Sequence, residues 1–523
     1  MLIGHPLSSS PSESQPQNGV PAIQKVASAA YWLLPIGFCL AVYWQGLWTW
    51  FQQTDFIWLD LRNHVTDVPS FLWAMFAPMA QGTFRPLSER GFFLLFTEIF
   101  GLRAFPYRLL AFLNQFLNVF LVMLVTRKLT KSALAGFVAP LLWLSSITLI
   151  IPMAWTAAYN QIQCASFLLL SLYLFIRYTE TGARKFYWAQ WATFVLGLGS
   201  LELGVVYPAI ALLYALFFAR RYVRSTIPML AAASVVAFVL RVAAKAQAKP
   251  NYDLSFRPAS LFATLGEHWR TLLGIAAFGE PRQLPDWVVP SVICLLTAAL
   301  LGFVIAQTLK RRFLPLFLLG WFVIVIAPLL TLHMRTLQYY AAIPSIGIAM
   351  LGALGLSMAW RTHWSARIGA IALLALYAVP SLLVIHAGEI FYRHRAGRAH
   401  ALCQAVAQAR QLNPGKILLL KNVDNDLFWS TVYYSPLPVL GWQGVYLAPN
   451  SPPLIQEDSQ FDDINGYFFP EAAILPALRN GSAEVYQIEG ETVRKITVPY
   501  LESLEAPIPS TSPAENQSRY LVR

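Results

Sequence analysis

The first 390 residues of the chain consist mainly of long apolar runs separated by short polar turns. A helical run of about 20 apolar residues crosses the ~30 Å hydrocarbon core of a bilayer, so each long run is a candidate span. The runs that reach or approach this length are 30–50, 105–126, 132–154, 161–178, 186–201, 203–219, 226–243, 287–307, 313–332, 338–359 and 366–388. The pattern predicts an α-helical polytopic membrane protein with about 11 transmembrane helices.

Two shorter apolar runs, 71–80 and 91–101, lie in the loop 51–104 after the first span. They are too short to cross a bilayer, so we expect interfacial or re-entrant helices. The first span is longer than the apolar core of a signal peptide, and no small-residue cleavage site follows it. We therefore expect it to be an uncleaved span.

The pattern changes near residue 390. Residues 399–411 have the period of an amphipathic helix, 416–421 have the pattern of a short strand, and 484–488 and 492–498 alternate like a hairpin. These segments predict a small C-terminal α/β domain. The predicted organisation is a disordered cytoplasmic tail (1–29), a transmembrane domain (30–389), an extracytoplasmic α/β domain (390–505) and a flexible tail (506–523).

Composition supports the membrane interpretation. Hydrophobic residues make up 57% of the chain and charged residues 12%, against about 45–50% and about 25% in soluble proteins. Disordered, collagen-like and disulfide-scaffold proteins are excluded. The net charge of +12 does not indicate nucleic-acid binding, because the basic residues cluster in short turns between apolar runs, where they set topology.

The distribution of these basic residues predicts the orientation. Alternate turns hold 14 of them, whereas the opposing short turns hold only Arg335. Because cytoplasmic loops are enriched in Lys and Arg, we expect an inner (plasma) membrane protein with a cytoplasmic N-terminus and an extracytoplasmic C-terminal domain. The basic turns contain Arg127, Lys128, Lys131, Arg177, Arg184, Lys185, Arg220, Arg221, Arg224, Lys310, Arg311, Arg312, Arg361 and Arg367.

Polar side chains at the outer mouths of the spans are the candidate functional residues, because such groups must be paired or functional. Five separate segments bring them to this face: Asp55 and Asp60, Arg85, Asn160, Glu202, and His333 with Arg335 and Tyr339. No phosphate-binding loop, dinucleotide fingerprint, nucleophile elbow or zinc motif occurs in the sequence, which disfavours cytosolic nucleotide chemistry.

Each candidate also has a structural alternative. Asp55 could be a solvated loop acid, and Asp60 could pair with Arg62 or cap the next helix. Arg85 could be an interfacial anchor and Asn160 an interhelical hydrogen-bond donor, while His333 is more often a satisfied polar residue than a metal ligand. Glu202 is harder to explain structurally, because it is the only charge between Lys185 and Arg220.

In the order of their motifs, residues 55–350 resemble the GT-C class of polytopic glycosyltransferases and its protein O-mannosyltransferase-like branch. The acid after the first span is Asp55. The motifs that follow are Phe84-Arg85-Pro86-Leu87, Gly101-Leu102, Tyr107-Arg108-Leu109-Leu110 with Asn114 and Asn118, Ala154-Trp155, Glu202 with Pro208, and the segment from Gln338-Tyr339-Tyr340 to Pro344 and Gly347.

The chain departs from the family pattern at three positions and lacks the tetratricopeptide tail of one branch. Thr54 stands where the family often has a second acid, Leu201 where a Lys is common, and Gln338 where an Arg is common, although Arg335 lies one helical turn earlier. These departures leave two other classes open. One is a non-catalytic scaffold or degenerate homologue with a partner-binding external domain, and the other is a transporter or flippase of a lipid-linked precursor.

The resemblance implies a sugar donor on polyprenyl phosphate at the outer leaflet and a hydroxyl acceptor on a protein, lipid or glycan. It implies Asp55 as general base, with inversion at the anomeric carbon. Arg85 and Arg335 are the candidates for stabilising the leaving phosphate, ahead of Arg108 and Arg270. Glu202 and Asn160 would orient the base or bind sugar hydroxyls. The remaining candidates are Asp60, His333 and Tyr339, with Trp58 and Trp155 as stacking residues or interfacial anchors.

The sequence leaves two points open, a bound metal and a shared cavity. Asp55 and Asp60 could share a divalent metal, but no ligand spacing requires one. An enzyme should gather Asp55, Arg85 and Glu202 around one cavity that opens to the outer leaflet and to water, whereas a scaffold has no need for that arrangement.

Overall fold

The computed structural model describes residues 22–77, 83–245, 254–273, 285–449, 455–456, 463–489 and 492–505. Its N-terminal three quarters are helical. The helices are α1 (Ala22–Tyr43), α2 (Asp55–Asp60), α3 (Val68–Phe76), α4 (Phe92–Phe100), α5 (Ala104–Thr130), α6 (Ala133–Leu144), α7 (Ile150–Ala154), α8 (Tyr159–Thr181), α9 (Arg184–Ser200), α10 (Tyr207–Phe218), α11 (Val223–Lys245), α12 (Pro258–Leu273), α13 (Val288–Leu309), α14 (Leu314–Ile326), α15 (Ser345–Ala359) and α16 (Trp364–Leu412).

The membrane prediction is confirmed, because every predicted span contains a helix. Among the described residues, seven helical segments are long and apolar enough to cross a bilayer, and an eighth is obtained if α6 and α7 form one bent span. Three predicted spans correspond to shorter helices, α9, α15 and the segment Glu202–Phe218. Neighbouring helices bury α15 on most sides.

The predicted span 132–154 is broken rather than straight. Helices α6 and α7 meet at an angle of 61°. The hydroxyl of Ser145 donates to Leu141 O, 2.9 Å away, and the hydroxyl of Ser146 accepts from Thr148 N, 3.4 Å away. Side chains thus satisfy backbone groups that the break frees, which lets a bend occur among apolar neighbours.

The two short runs in the loop after the first span form the short helices α3 and α4, as expected; residues 78–80 of the first run lie outside the described residues. Asp67 and Ser70 form a capping box at the start of α3. Several large apolar side chains of α3 are exposed, among them Phe71 and Trp73. An exposed apolar helix outside the spans fits the expected interfacial position.

Helix α16 contains both the predicted last span and the predicted amphipathic helix 399–411. It has 49 residues, which at 1.5 Å per residue makes it about 73 Å long. The expectation of two separate elements was wrong, because residues 389–398 contain no Gly-Pro break and are mostly good helix formers. One continuous helix therefore links the membrane bundle to the C-terminal region.

The C-terminal region is a small α/β unit, as predicted. Its sheet has the order β2-β1-β3-β4, with β1 parallel to β2 and β3, and β3 antiparallel to β4. The short strand β2 has no clear signal in the sequence. The elements are β1 (Ile417–Lys421), α17 (Asn425–Ser430), α18 (Pro436–Val439), β2 (Val445–Leu447), α19 (Glu471–Arg479), β3 (Ala483–Glu489), β4 (Thr492–Lys495) and α20 (Thr497–Glu505).

Candidate active site

Asp55 is the first residue of α2 and is completely buried. Its Oδ2 accepts a hydrogen bond from Gln52 N at 3.0 Å, and its Oδ1 accepts one from Ala157 N at 2.6 Å. These donors belong to two separate loops, one after the first span and one before α8. The carboxylate therefore does not point into bulk solvent and is held from two sides.

Burial raises the pKa of Asp55 to about 7, and the backbone N–H groups of Gln52 and Ala157 and the charge of Arg108 act in the opposite direction. A carboxylate with a pKa near the working pH is suited to taking a proton from a hydroxyl group. Asp55 thus has the electrostatic environment of a general base.

Arg85 lies between two carboxylates. Its Nε donates to Glu202 Oε2 at 2.8 Å, and its Nη1 donates to Glu89 Oε1 at 2.5 Å. Phe84 N donates to the other oxygen of Glu202, Oε1, at 2.8 Å. Burial acts to lower the pKa of Arg85, but the charges of Glu202 and Glu89 raise it well above its ordinary value. The guanidinium and the two carboxyl groups form one hydrogen-bonded unit.

Asn160, in the first turn of α8, connects this unit to Asp55. Its Nδ2 donates to Glu89 Oε1 at 2.8 Å and to Ala157 O at 3.2 Å. Ala157 in turn donates its N–H to Asp55. A chain of contacts therefore runs from Asp55 through Ala157, Asn160, Glu89 and Arg85 to Glu202. Four of the residues predicted for the site are brought together.

Glu89 is the member of this network that the sequence analysis missed. Its side chain is 4% exposed, and burial raises its pKa while Arg85 lowers it. It lies in a π-helical turn, Pro86–Gly91. The one signal in the sequence is its spacing, because an Arg and a Glu four residues apart face each other on a helical turn.

Several buried polar atoms near Asp55 have no hydrogen-bond partner among the described residues. They are Oε2 of Glu89, Oδ1 of Asn160, Oε1 and Nε2 of Gln52, and Oγ1 of Thr156. Unsatisfied buried polar atoms are costly and require a partner. Most of these atoms accept hydrogen bonds, so they suit a ligand with several hydroxyl groups.

Arg108 and Glu389 form a second buried polar group at the end of the first span. Arg108 donates from Nε to Gly46 O at 2.8 Å and from Nη2 to Met153 O. Glu389 Oε2 accepts from Gly46 N at 2.9 Å. Because Arg108 donates to the backbone carbonyls of Gly46 and Met153, it fixes the segments that lead to Asp55 and Ala157.

Asp60 lies outside the network. It accepts from Asn63 Nδ2 at 3.0 Å and lies 3.7 Å from His64 Nδ1. Arg62 pairs with Glu98 instead, so the expected alternative of an Asp60–Arg62 pair was wrong. Asp60 and Glu98 thus have local structural partners.

The remaining candidates lie in and beside the turn 333–337. His333 is exposed and Arg335 is half-buried. Tyr339 meets Trp155 edge to face with ring centroids 6.3 Å apart, and Trp155 Nε1 donates to Gln52 O at 3.1 Å. Tyr339 therefore contacts the Asp55 loop through Trp155. Trp58 is buried.

Arg270 is an exposed residue of α12 and pairs with Glu267 at 3.1 Å. Within the described ranges, no group of three or more His, Cys, Asp or Glu side chains is placed to hold a metal ion.

A large apolar cavity lies between α6, α12, α13, α15 and α16. Its volume is about 410 Å³, and it extends from Ser146 and Ser345 past Phe303 to Ala359 and Gly369. Asp55, Arg85 and Glu202 do not line it. This cavity is therefore not the expected one that gathers the three residues. They are joined by the polar network instead, and the apolar cavity is a separate feature of the bundle.

The matched segment of the chain is 91–244, which fits the family model described as dolichyl-phosphate-mannose-protein mannosyltransferase. This segment includes Asn160 and Glu202 and begins two residues after Glu89. No curated protein sequence gives a significant match.

Three solved structures resemble the chain at low identity. The Archaeoglobus fulgidus oligosaccharyltransferase tethered with an acceptor peptide has 12% identity and a TM-score of 0.47, with 78% of this chain and 63% of that one covered. ArnT from Cupriavidus metallidurans, bound to undecaprenyl phosphate, has 14% identity and a TM-score of 0.46, with 92% and 99% covered. AglB from Archaeoglobus fulgidus, in complex with an inhibitory peptide and a dolichol-phosphate, has 13% identity and a TM-score of 0.43, with 89% and 70% covered.

The chain thus spans 63% of the length of that oligosaccharyltransferase. The family match covers a shorter stretch, but it includes motifs on which the predicted resemblance depends. It confirms that resemblance over this stretch: residues 91–244, part of a helical polytopic membrane protein, are similar to the family described as dolichyl-phosphate-mannose-protein mannosyltransferase.

Proposed function

We propose that this chain transfers a sugar from a polyprenyl-phosphate donor to a hydroxyl acceptor on the extracytoplasmic side, with Asp55 as general base. The observation that carries the proposal is the environment of Asp55. Its carboxylate is buried, is held by N–H groups from two loops, and is connected to Arg85 and Glu202 through Asn160 and Glu89. A scaffold has no need for three linked carboxylates at the mouth of an apolar bundle.

The reaction is a single displacement. The acceptor oxygen attacks the anomeric carbon while Asp55 takes the hydroxyl proton. The bond between the anomeric carbon and the phosphate oxygen breaks, and the polyprenyl phosphate leaves with the bonding electron pair. General-base assistance of this kind contributes about 10²–10⁴ in rate. Because the attack is direct, the product has inverted anomeric configuration.

The contacts of Arg85 refine its expected role. Its guanidinium already pairs with Glu89 and Glu202, so we assign it to orienting these acids rather than to gripping the phosphate. Arg335, the other guanidinium that the sequence assigns to the leaving phosphate, is proposed to stabilise the charge that develops on it. The unsatisfied atoms of Gln52, Glu89 and Asn160 are proposed to bind sugar hydroxyls.

The apolar cavity supplies a place for the lipid. Its lining is almost entirely hydrocarbon, and it runs along α15 and the membrane part of α16. An isoprenoid chain would enter this lining from the equally apolar interior of the bilayer, so the cavity would orient the chain rather than bind it through a hydrophobic gain. We propose that part of the polyprenyl chain lies there, and the family description, which names a dolichyl-phosphate sugar, supports such a donor.

The test is a label-transfer assay. Membranes that contain the protein are incubated with radiolabelled polyprenyl-phosphate sugars, and the configuration of the product linkage is determined. We expect transfer with inversion, and no transfer with Asp55→Ala. Product with retained configuration, or equal transfer by Asp55→Ala, would refute the mechanism.

A further inference from the structure

The part of α16 that extends beyond the membrane forms ion pairs with acids at the start of α17. Arg395 Nε lies 3.0 Å from Asp426 Oδ1, and Arg398 Nη2 lies 2.5 Å from Asp424 Oδ2. The two arginine side chains are 13% and 18% exposed. Ion pairs with partly buried guanidinium groups are screened less by salt than exposed ones, so they can fix the position of a short helix.

The last residue of α17 contacts the loop that carries Asp55. The carbonyl oxygen of Ser430 accepts a hydrogen bond from Gln53 N at 2.7 Å, two residues before Asp55. Gln53 has φ +51°, the left-handed region that residues other than glycine rarely occupy. A non-glycine residue stays in this conformation only when the surrounding structure holds it there.

Other contacts join the same two parts of the chain. Helix α18 packs against α2. The ring of Trp50 stacks on that of His400 in α16, with centroids 4.5 Å apart. Tyr434 and Val439 pack against the membrane core. The C-terminal region thus contacts the segment 50–60 at several points.

We propose that Arg395, Arg398, Asp424 and Asp426 form a positioning clamp, through which the C-terminal region holds the Asp55 loop in its reactive geometry. The inference rests on the proposed function of Asp55. It makes the C-terminal region part of the active site, acting through the Ser430 carbonyl and Gln53. The clamp residues are positioning residues, because they do not contact Asp55 themselves.

Breaking the ion pairs of the clamp should change how the rate of sugar transfer depends on pH. Asp55 is surrounded by the N–H groups of Gln52 and Ala157, by Arg108 and Tyr107 of α5, and by Glu389 of α16 beyond Arg108. Burial raises its pKa to about 7. If the loop opens, water reaches the carboxylate and its pKa falls toward the ordinary value, so the acidic limb of the rate profile moves to lower pH.

The experiment uses charge reversal and its neutralisation in the full chain. Arg395→Glu places two acids together, and Asp426→Asn added to it removes that repulsion and offers the new carboxylate an amide donor. Asn is chosen at 426 because Arg398 Nη1 lies 3.7 Å from Asp426 Oδ2, where a second guanidinium would be repelled. The matched control is Arg479→Glu, which breaks the exposed pair of Arg479 with Glu505 on the far α19–α20 side. Hydrogen exchange of the Gln53 amide is followed by mass spectrometry of peptides that cover 50–56, and sugar transfer is measured across pH.

We expect Arg395→Glu to speed exchange of the Gln53 amide about tenfold or more and to lower kcat about 10- to 100-fold, with little change in donor KM. The acidic limb should move to lower pH, and the double variant should recover all three properties. Arg479→Glu should match the parent protein.

Unchanged exchange at Gln53 in Arg395→Glu, or a double variant that stays as impaired as the single one, would overturn the clamp. Hydrogen exchange reports on the clamp even if Asp55 is not the base. Failure of the proposed function would instead show as undiminished transfer by Asp55→Asn with Gln53 exchange still governed by the ion pair.

Discussion

Glu89 is the residue whose contacts join the two halves of the candidate site. One of its carboxylate oxygens accepts from both Arg85 and Asn160, and the side chain is almost completely buried. Removing the carboxylate would leave Arg85 with Glu202 as its remaining acceptor and the buried Asn160 amide with Ala157 O, and losing a hydrogen bond between charged groups at a buried site is costly.

We therefore predict that Glu89→Ala lowers kcat/KM about 10- to 100-fold, because Arg85 and Asn160 lose their common anchor and Asn160 no longer fixes Ala157. Glu89→Gln, which keeps an acceptor oxygen, should be less impaired. The control is Glu98→Ala, since Glu98 is 60% exposed and pairs only with Arg62. Transfer assays on the three purified variants check this, and equal activity of Glu89→Ala and Glu98→Ala would contradict it.

The pKa of Asp55 leads to a pH prediction. The base works only when ionised, and burial raises its pKa to about 7. Because the pKa is raised, the active fraction is small at pH 5 and nearly complete at pH 9. We expect kcat/KM to rise through about pH 7 and then level off. A profile that is flat from pH 5 to 9 would mean that the base has the ordinary pKa of a solvated aspartate.

At the scale of elements, the junction between the first span and the Asp55 loop depends on one glycine. A Cβ on Gly46 would lie 2.2 Å from Met153 O, whereas a Cβ on Gly37, in the same apolar segment, would meet nothing within 4 Å. The close approach allows Arg108 to bind both carbonyl groups and Glu389 to bind Gly46 N.

Gly46→Ala should therefore destabilise the protein by about 3 kcal/mol or more, because backbone rather than a flexible side chain opposes the new methyl group. Gly37→Ala should change stability by less than about 1 kcal/mol. Thermal unfolding in detergent, followed by tryptophan fluorescence, compares the two. Similar melting temperatures for both variants would show that the junction tolerates expansion.

The same elements show how far the sequence leads. Apolar length alone predicts helices such as α5 and α13, because a membrane allows few other backbone arrangements. The sequence did not predict that α16 continues beyond the membrane as one helix. The amino-acid composition changes near residue 390, although helix propensity does not. The link of Arg85 to Glu202 spans 117 positions in the chain, and no local pattern encodes it. The predicted topology placed both residues on one face, and the resemblance assigned them to one site.

Glu89 and β2 were missed for different physical reasons. The turn that carries Glu89 is π-helical and starts at Pro86, so its facing pair with Arg85 does not stand out in a periodic pattern. Strand β2 has three residues, too few for alternation to be recognised, and its conformation is set by pairing with β1.

At the scale of the whole molecule, the distribution of basic turns predicts which parts lie outside. Thr362, in the turn before α16, and Glu502, in α20, are both exposed. We expect a membrane-impermeant maleimide to label Glu502→Cys in intact cells and Thr362→Cys only after lysis. Both variants are made in a Cys294→Ser background, because Cys294 is exposed whereas Cys39, Cys164 and Cys403 are buried. Labelling of Thr362→Cys in intact cells would reverse the orientation.

The most direct test of Asp55 as the general base compares sugar transfer by Asp55→Asn and Asp60→Asn, purified in parallel and supplied with a polyprenyl-phosphate sugar at pH 8. Both substitutions remove one loop carboxylate, but Asp60 contacts only Asn63 and His64. We expect Asp55→Asn to lower the rate of sugar transfer about 10²- to 10⁴-fold and Asp60→Asn to transfer sugar at nearly the parental rate. Transfer by Asp55→Asn at the parental rate would contradict that role of Asp55.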